Sequence, residues 1–179
     1  MPRGRGVRAF GDACLRRACR PAEPGTPETA RLLDELWDVL SAADGVGLAA
    51  PQIGDDRRAL VIRDPDRPAG RQRLDVVNPR LVGTSGPVVP FEEGCLSFPG
   101  LFFDVRRPGG VRVEYVDRDG SPAVLEDDGL VARIVQHEMD HLDGRLFIDH
   151  LPPWRRWLLA PRLLWIRLGA LVQKDRSPV

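Results

Sequence analysis

Lysine is nearly missing from this chain: Lys174 is the only one, and arginine supplies the rest of the 26 basic residues. The 26 acidic residues balance them, so the formal charge is zero and no general electrostatic pull toward nucleic acid exists. No sequence-specific nucleic-acid partner is therefore expected. Cysteine is scarce too. Cys14, Cys19 and Cys95 are an odd count of three, which fits free thiols in a reducing cytosol better than a disulfide between Cys14 and Cys19. No transmembrane span is expected, because arginines interrupt the apolar stretches, and the N-terminus lacks a signal-peptide apolar region. The first twenty residues are arginine-rich with only Asp12 acidic, a composition that superficially suits an organelle presequence. There is no internal repeat. Histidine is limited to His137, His141 and His150, and no glutamate follows Glu138.

Two of those histidines carry the strongest signal. His137-Glu138-Met139-Asp140-His141 places two imidazoles at i and i+4, on one face of a helix, with a glutamate beside them. Such a pair can hold one metal ion while the glutamate carries protons. Ile134 and Val135 before it, Leu142 after it and the Asp143-Gly144 stop predict a half-buried helix over roughly 128–142. A catalytic metal wants about three protein ligands and an open position for water. Neither downstream protease pattern supplies the third. No later glutamate exists, Phe147 stands where a third histidine would fall, and His150 is off register. Asp149 is a weak option. Cys95, in Glu93-Gly94-Cys95-Leu96-Ser97, is a better one, since a thiolate is a strong ligand for zinc or ferrous iron. The competing reading of Cys95 is a small buried hydrophobe.

A third segment is Gly45-Val46-Gly47-Leu48-Ala49-Ala50-Pro51-Gln52. Its glycines permit close backbone approach to a ligand, but the spacing is not that of a dinucleotide loop. It could simply be a tight turn into a small-residue packing segment. Gln52 then needs a reason, and an amide donor to a developing oxyanion is one.

Together the three segments resemble the peptide deformylase family, whose motifs read G-Φ-G-Φ-A-A-x-Q, E-G-C-Φ-S and H-E-Φ-D-H, Φ being apolar. Residues 45–52, 93–97 and 137–141 match them in order, and the likeness extends from about Gly11 to about Leu151. Gly11-Asp12-Ala13-Cys14-Leu15-Arg16 resembles the family's opening G-D-P-x-L-R, with Ala13 in place of proline. That leaves little room for a presequence, and implies a bacterial-type cytoplasmic protein without organelle targeting. The resemblance implies Cys95, His137 and His141 as metal ligands, Glu138 as general acid/base, and Gln52 with the Leu96 N–H as oxyanion hole. It implies Gly45, Val46 and Gly47 as the substrate-lining edge, and Ile134 is a candidate wall of the methionine slot. The implied reaction is hydrolysis of the formyl group from N-formylmethionyl peptides. The implied cofactor is one divalent ion, Fe2+ in the cell, with Zn2+, Ni2+ or Co2+ able to replace it. Phe102-Phe103 stands where many members have a basic residue, and Arg133 where the helix is often apolar. A zinc peptidase on the same helix and a non-catalytic metal-stabilised binding module are the rival functions.

Thr26-Pro27-Glu28 reads as N-cap, first-turn proline and first-turn acid. Ala30, Leu33, Trp37 and Leu40 follow at helical spacing, predicting a helix to about Ala43. Strands are predicted at Arg58–Arg63, Leu74–Val77 and Val111–Val116, with a turn at Asp117–Gly120 and a partner near Ala123–Glu126. Strands around one central helix argue for an α+β single domain: antiparallel or mixed sheets packed around the metal-binding helix, plus a C-terminal helix. Residues 1–153 would be the catalytic domain and 154–179 an amphipathic basic helix and tail. In that helix Trp154, Trp157, Leu158, Leu164, Trp165, Leu168, Leu171 and Val172 form an apolar stripe, with Arg155, Arg156, Arg162 and Arg167 to another side. Packing against the domain is the first expectation; docking on the ribosome near the exit tunnel, and a membrane surface or self-association, are the others.

Overall fold

Thr26 caps the first helix as its sequence predicts. Its side chain accepts the Thr29 N–H and the next residue is proline, so α1 runs Pro27–Ala42. The computed structural model describes residues 6–175, with side chains to 169; Leu171, Val172 and Lys174 lie outside the described side chains. After α1 come β1 (Gly47–Ala49), β2 (Ala59–Arg63), β3 (Arg73–Gly94), β4 (Phe102–Val116) and β5 (Pro122–Asp127). Then follow α2 (Leu130–Leu142) and α3 (Pro153–Asp175). Single 3-10 turns occupy Ala13–Arg16, Ala50–Ile53 and Phe147–His150. The strands form one five-stranded sheet in the order β1-β2-β3-β4-β5, every neighbouring pair antiparallel. The class is α+β.

Around β2 the sheet is covered on both faces, and residue alternation along that strand divides the two cores. Leu60 and Ile62 join Val76, Val113, Val131, Val135 and Leu142 between sheet and α2. Ala59 and Val61 join Leu33, Leu36, Leu40 and Leu48 between sheet and α1. The inward stripe of α1 is therefore Leu32, Leu33, Leu36 and Leu40; Trp37, expected in it, is half-buried beneath the guanidinium groups of Arg63 and Arg73. A third cluster, around Phe98, Phe147, Leu101 and Ile148, lies beyond the strand ends and receives Ile166 from α3.

Two features exceed the sequence reading. The β3–β4 hairpin is far longer than predicted, pairing as far as Gly94 with Phe102 through three register irregularities. Asn78 takes a positive φ of 50° at the first, and its side chain bonds both the N–H and the C=O of Ala22. And α2 is not half-buried: each residue from Val131 to Leu142 is buried. It is held at its start by the Asp127 carboxylate, which accepts the N–H groups of Gly129 and Ala132 at 2.8 and 2.7 Å. It ends at Gly144, whose φ is +70°.

The expected packing of the C-terminal stripe is not what α3 does. Leu159, Leu163 and Ile166 face the third cluster, while Trp154, Trp157, Leu158, Leu164, Trp165 and Leu168 point outward and are exposed. The cluster built on Phe98 and Phe147 receives only this narrow aliphatic stripe of the helix.

Candidate active site

The site is assembled where α2 passes beneath β1 and the turn after β3. Cys95 sits in that turn, His137 and His141 one helical turn apart on α2. One ligand atom from each of the three lies within 4.8 Å of the others. Cys95 Sγ is 3.3 Å from His141 Nε2. His137 Nδ1 is 2.9 Å from Glu93 Oε2, which orients the ring and leaves its Nε2 for the cluster. A sulfur and two imidazole nitrogens converging in this way suit a divalent zinc, iron, nickel or cobalt ion with a position left open. Asp149, the other ligand candidate, is elsewhere. Its carboxylate pairs with Arg16 and accepts the Leu146 N–H at 2.9 Å, so it fixes the 3-10 turn instead.

Glu138 is buried beside the cluster, and its Oε2 has no hydrogen-bond partner among the described residues. A buried carboxylate oxygen left open is costly unless a ligand, water or substrate meets it. Burial is the largest influence on its acidity and pushes its pKa up to about 7; the His137 and Arg107 charges pull the other way. A proton carrier poised near neutrality results. Burial first, then the neighbouring His137, holds His141 below the ordinary histidine value, so its imidazole stays neutral.

Gln52 lies on the 3-10 turn after β1, fully buried. Its Oε1 accepts the Ala49 N–H at 2.8 Å, which turns its Nε2 toward Ser97 Oγ at 3.3 Å and Cys95 Sγ at 3.6 Å. Gln52, Gly45, Val46, Gly47, Cys95, Leu96, Ile134, His137 and Glu138 all line one cleft of about 490 Å³. β1 is the outer strand of the sheet, so among the described residues no further strand pairs with its open edge. Gly47 is required by the approach of α2: a Cβ there would stand 2.6 Å from Glu138 Oε1 and from Ile134 Cγ2.

Sequence reading gave no role to the polar groups that hold α2 in place. Arg107, buried on β4, bonds Glu93 at 2.8 and 3.0 Å and Asp140 at 2.7 Å; Asp140 also meets His150 Nε2 at 2.7 Å. Burial disfavours both carboxylates, yet their partners outweigh it and lower both to about 2: His137 and Arg107 for Glu93, His150 and Arg107 for Asp140. Glu93 and Asp140 fall within the short motifs, which was the available signal; nothing in the sequence pointed to Arg107. Arg133 does not project a free charge into the cleft. It bonds Glu93 at 3.3 Å and the carbonyls of Val105 and Val89 at 3.2 and 3.1 Å, and lies over the Phe91 ring. Phe91, Phe102 and Leu130 complete the apolar rim. Cys14 and Cys19 are both free, with pKa values pushed up to about 11 chiefly by burial.

A family model for polypeptide deformylases matches residues 5–157. Among curated relatives, peptide deformylase 2 of Xanthomonas campestris pv. campestris is 41% identical over 161 residues, 88% of this chain and 93% of its own. The peptide deformylase of Rhodopseudomonas palustris is 43% identical over 152 residues, 83% of this chain and 86% of its own. In three dimensions the chain is similar to the crystal structure of the Thermus thermophilus peptide deformylase. The TM-score is 0.82 at 41% identity, over 92% of this chain and 98% of that one. It is also similar to that of Synechococcus elongatus in complex with actinonin, with a TM-score of 0.78 at 34% identity over 93% and 86%.

Proposed function

This chain belongs to the polypeptide deformylase family, and we propose that its own residues remove the formyl group from N-formylmethionyl polypeptides as follows. Cys95, His137 and His141 would hold a divalent ion. When bound, that ion supplies a Lewis acid, bringing the acidity of water from a pKa of about 15.7 toward neutrality. Ferrous iron is the cellular occupant we propose, and zinc, nickel or cobalt replace it in oxidising preparations.

Glu138 receives a proton from the attacking water through its open Oε2. The charge that grows on the formyl oxygen is met by the Gln52 amide and the Leu96 N–H. Glu138 then returns the proton to the leaving amine, so formate and a free N-terminus are released. The peptide backbone adds along Gly45-Val46-Gly47, using the outer edge of β1. The methionine side chain enters the apolar part of the cleft against Ile134. A formyl carbon bears only hydrogen besides its oxygen and nitrogen, so a narrow space between Glu138 and Gln52 suffices.

The observation that carries this reading is the convergence of a buried carboxylate with one open oxygen, a fixed amide and a Cys/His/His triplet at one cleft. Residues 1–153 are the catalytic unit in this proposal, and 154–179 an added helix and tail. Formylated N-termini are borne by chains leaving the ribosome, so the encounter belongs in the cytoplasm near the exit tunnel. The test is formate release from formyl-Met-Ala by metal-loaded protein, with cleavage of the unformylated peptide assayed alongside. Formate without cleavage is expected; cleavage without formate would transfer the site to the peptidase reading.

A further inference from the structure

The structure leaves one large apolar surface without an occupant, on the outer side of α3. At about 100° per residue, the exposed Trp154, Trp157, Leu158, Leu164, Trp165 and Leu168 fall within one arc of about 120°. That arc lies opposite Leu159, Leu163 and Ile166, which hold the helix to the domain. Trp157, Trp165 and Trp154 are 76%, 69% and 60% exposed. Water would not select three indoles standing side by side on one face.

The borders of the arc are cationic. Arg155 and Arg162 lie along one side, Arg156 and Arg167 along the other, and no acidic residue occurs from Pro153 to Gly169. A chain with zero formal charge thus concentrates positive charge beside this apolar surface. Little within the domain answers it. Arg155 lies over the Trp154 ring, Arg162 donates to the Gly100 carbonyl, and Arg156 is 3.8 Å from Asp149.

We propose that the outer face of α3 rests on an anionic lipid surface, its indoles at the headgroup level and its two arginine rows among the phosphates. Indole has an apolar body and one polar N–H, and favours that boundary. Arginines flanking an apolar arc extend their heads outward while their stems remain in the apolar layer. The helix lies on the surface and does not cross it, since no described helix is long and apolar enough to span. Two other occupants fit less well. A second copy of the chain would bring like-charged arginine rows together with no carboxylate on the helix to pair them. Nucleic acid would want the cations at the centre of the exposed arc, where the tryptophans and leucines stand.

The test is flotation of the full, metal-loaded chain with vesicles of equal parts phosphatidylglycerol and phosphatidylcholine, against phosphatidylcholine alone. Binding to the mixed vesicles alone is expected, with release on adding salt and a blue shift of tryptophan emission. Trp157→Ser with Trp165→Ser, and separately Arg155→Gln with Arg156→Gln, should each weaken it about tenfold or more. Formate release stays unchanged in both variants and melting temperature changes little, because the indoles face solvent and the half-exposed Arg156 comes only to 3.8 Å of Asp149. Any of three results would overturn the proposal: no flotation with the mixed vesicles, a tryptophan-dependent dimer by light scattering without vesicle binding, or arginine-dependent co-sedimentation with ribosomes alone.

Discussion

Two helices of this chain reverse what their patterns advertise. α2 carries Arg133, Gln136, His137, Glu138, Asp140 and His141, yet is buried along nearly its whole length. α3 carries tryptophans and leucines at helical spacing, yet turns most of them to solvent. Periodicity reports which residues share a face, and not what covers it. The polar side chains of α2 can be buried because most have partners on other elements: Glu93 and Arg107 on the long hairpin, His150 beyond the helix end. The apolar side chains of α3 stay out because the cluster beneath accepts only Leu159, Leu163 and Ile166. One helix is organised around chemistry inside the domain; the other presents a surface beyond it.

Substitution can sharpen that contrast, beginning inside α2. His141→Ala should abolish metal retention and lower formate release by at least about 10³-fold, since the proposed three-ligand site would lose one donor. Metal content after dialysis, measured beside turnover, checks it. Arg107→Ala removes from the buried Glu93 and Asp140 the guanidinium they share, and should cost about 3–5 kcal/mol in denaturant unfolding. Arg107→Lys should rescue little of this, because one ammonium cannot reproduce the fork across two carboxylates.

The same network sets an acid dependence. Glu93 falls from an ordinary 4.5 to about 2, and Asp140 from 3.8 to about 2. Depressed carboxylates contribute stability that is fully present above their unfolded values and lost as pH falls through the folded ones. Melting temperature should therefore fall most steeply between pH 4.5 and about 2, and Glu93→Gln should flatten the fall; an unchanged slope would remove Glu93 from the account. On α3, Trp157→Ser should change stability by no more than about 0.5 kcal/mol, as for an ordinary surface position. A loss of several kcal/mol would mean that the outer face is packed, and would end the contrast.

What the sequence made legible follows from how local each signal is. The Thr26 cap, the α1 span, the β4–β5 turn and the His137/His141 pair depend on neighbours within a few residues, and each could be read directly. The far half of the β3–β4 hairpin could not. Pro87, Pro90, Gly83 and Gly86 interrupt it, and its residues from Thr84 to Glu92 are largely exposed, so no alternation marks it. Cys95 could be named as a ligand candidate because metal chemistry left a vacancy for a soft donor. Arg107 could not, since its partners lie 14 and 33 residues away and no spacing rule connects them. The burial of α2 was underestimated for the same reason: its polar residues look solvent-facing until their distant partners are known.

The most direct test of the central claim, that buried Glu138 carries the proton in formyl hydrolysis, is kcat/KM for formate release against pH, for wild type and Glu138→Gln at equal metal content. Burial raises the group from an ordinary 4.5 to about 7, so its base form gathers as pH rises through that value. Wild-type activity should climb through an inflection, which the bound cation's charge moves below about 7, while Glu138→Gln should lie about 10²- to 10⁴-fold lower and lose that inflection. A glutamine variant that keeps both the rate and the inflection would contradict the account.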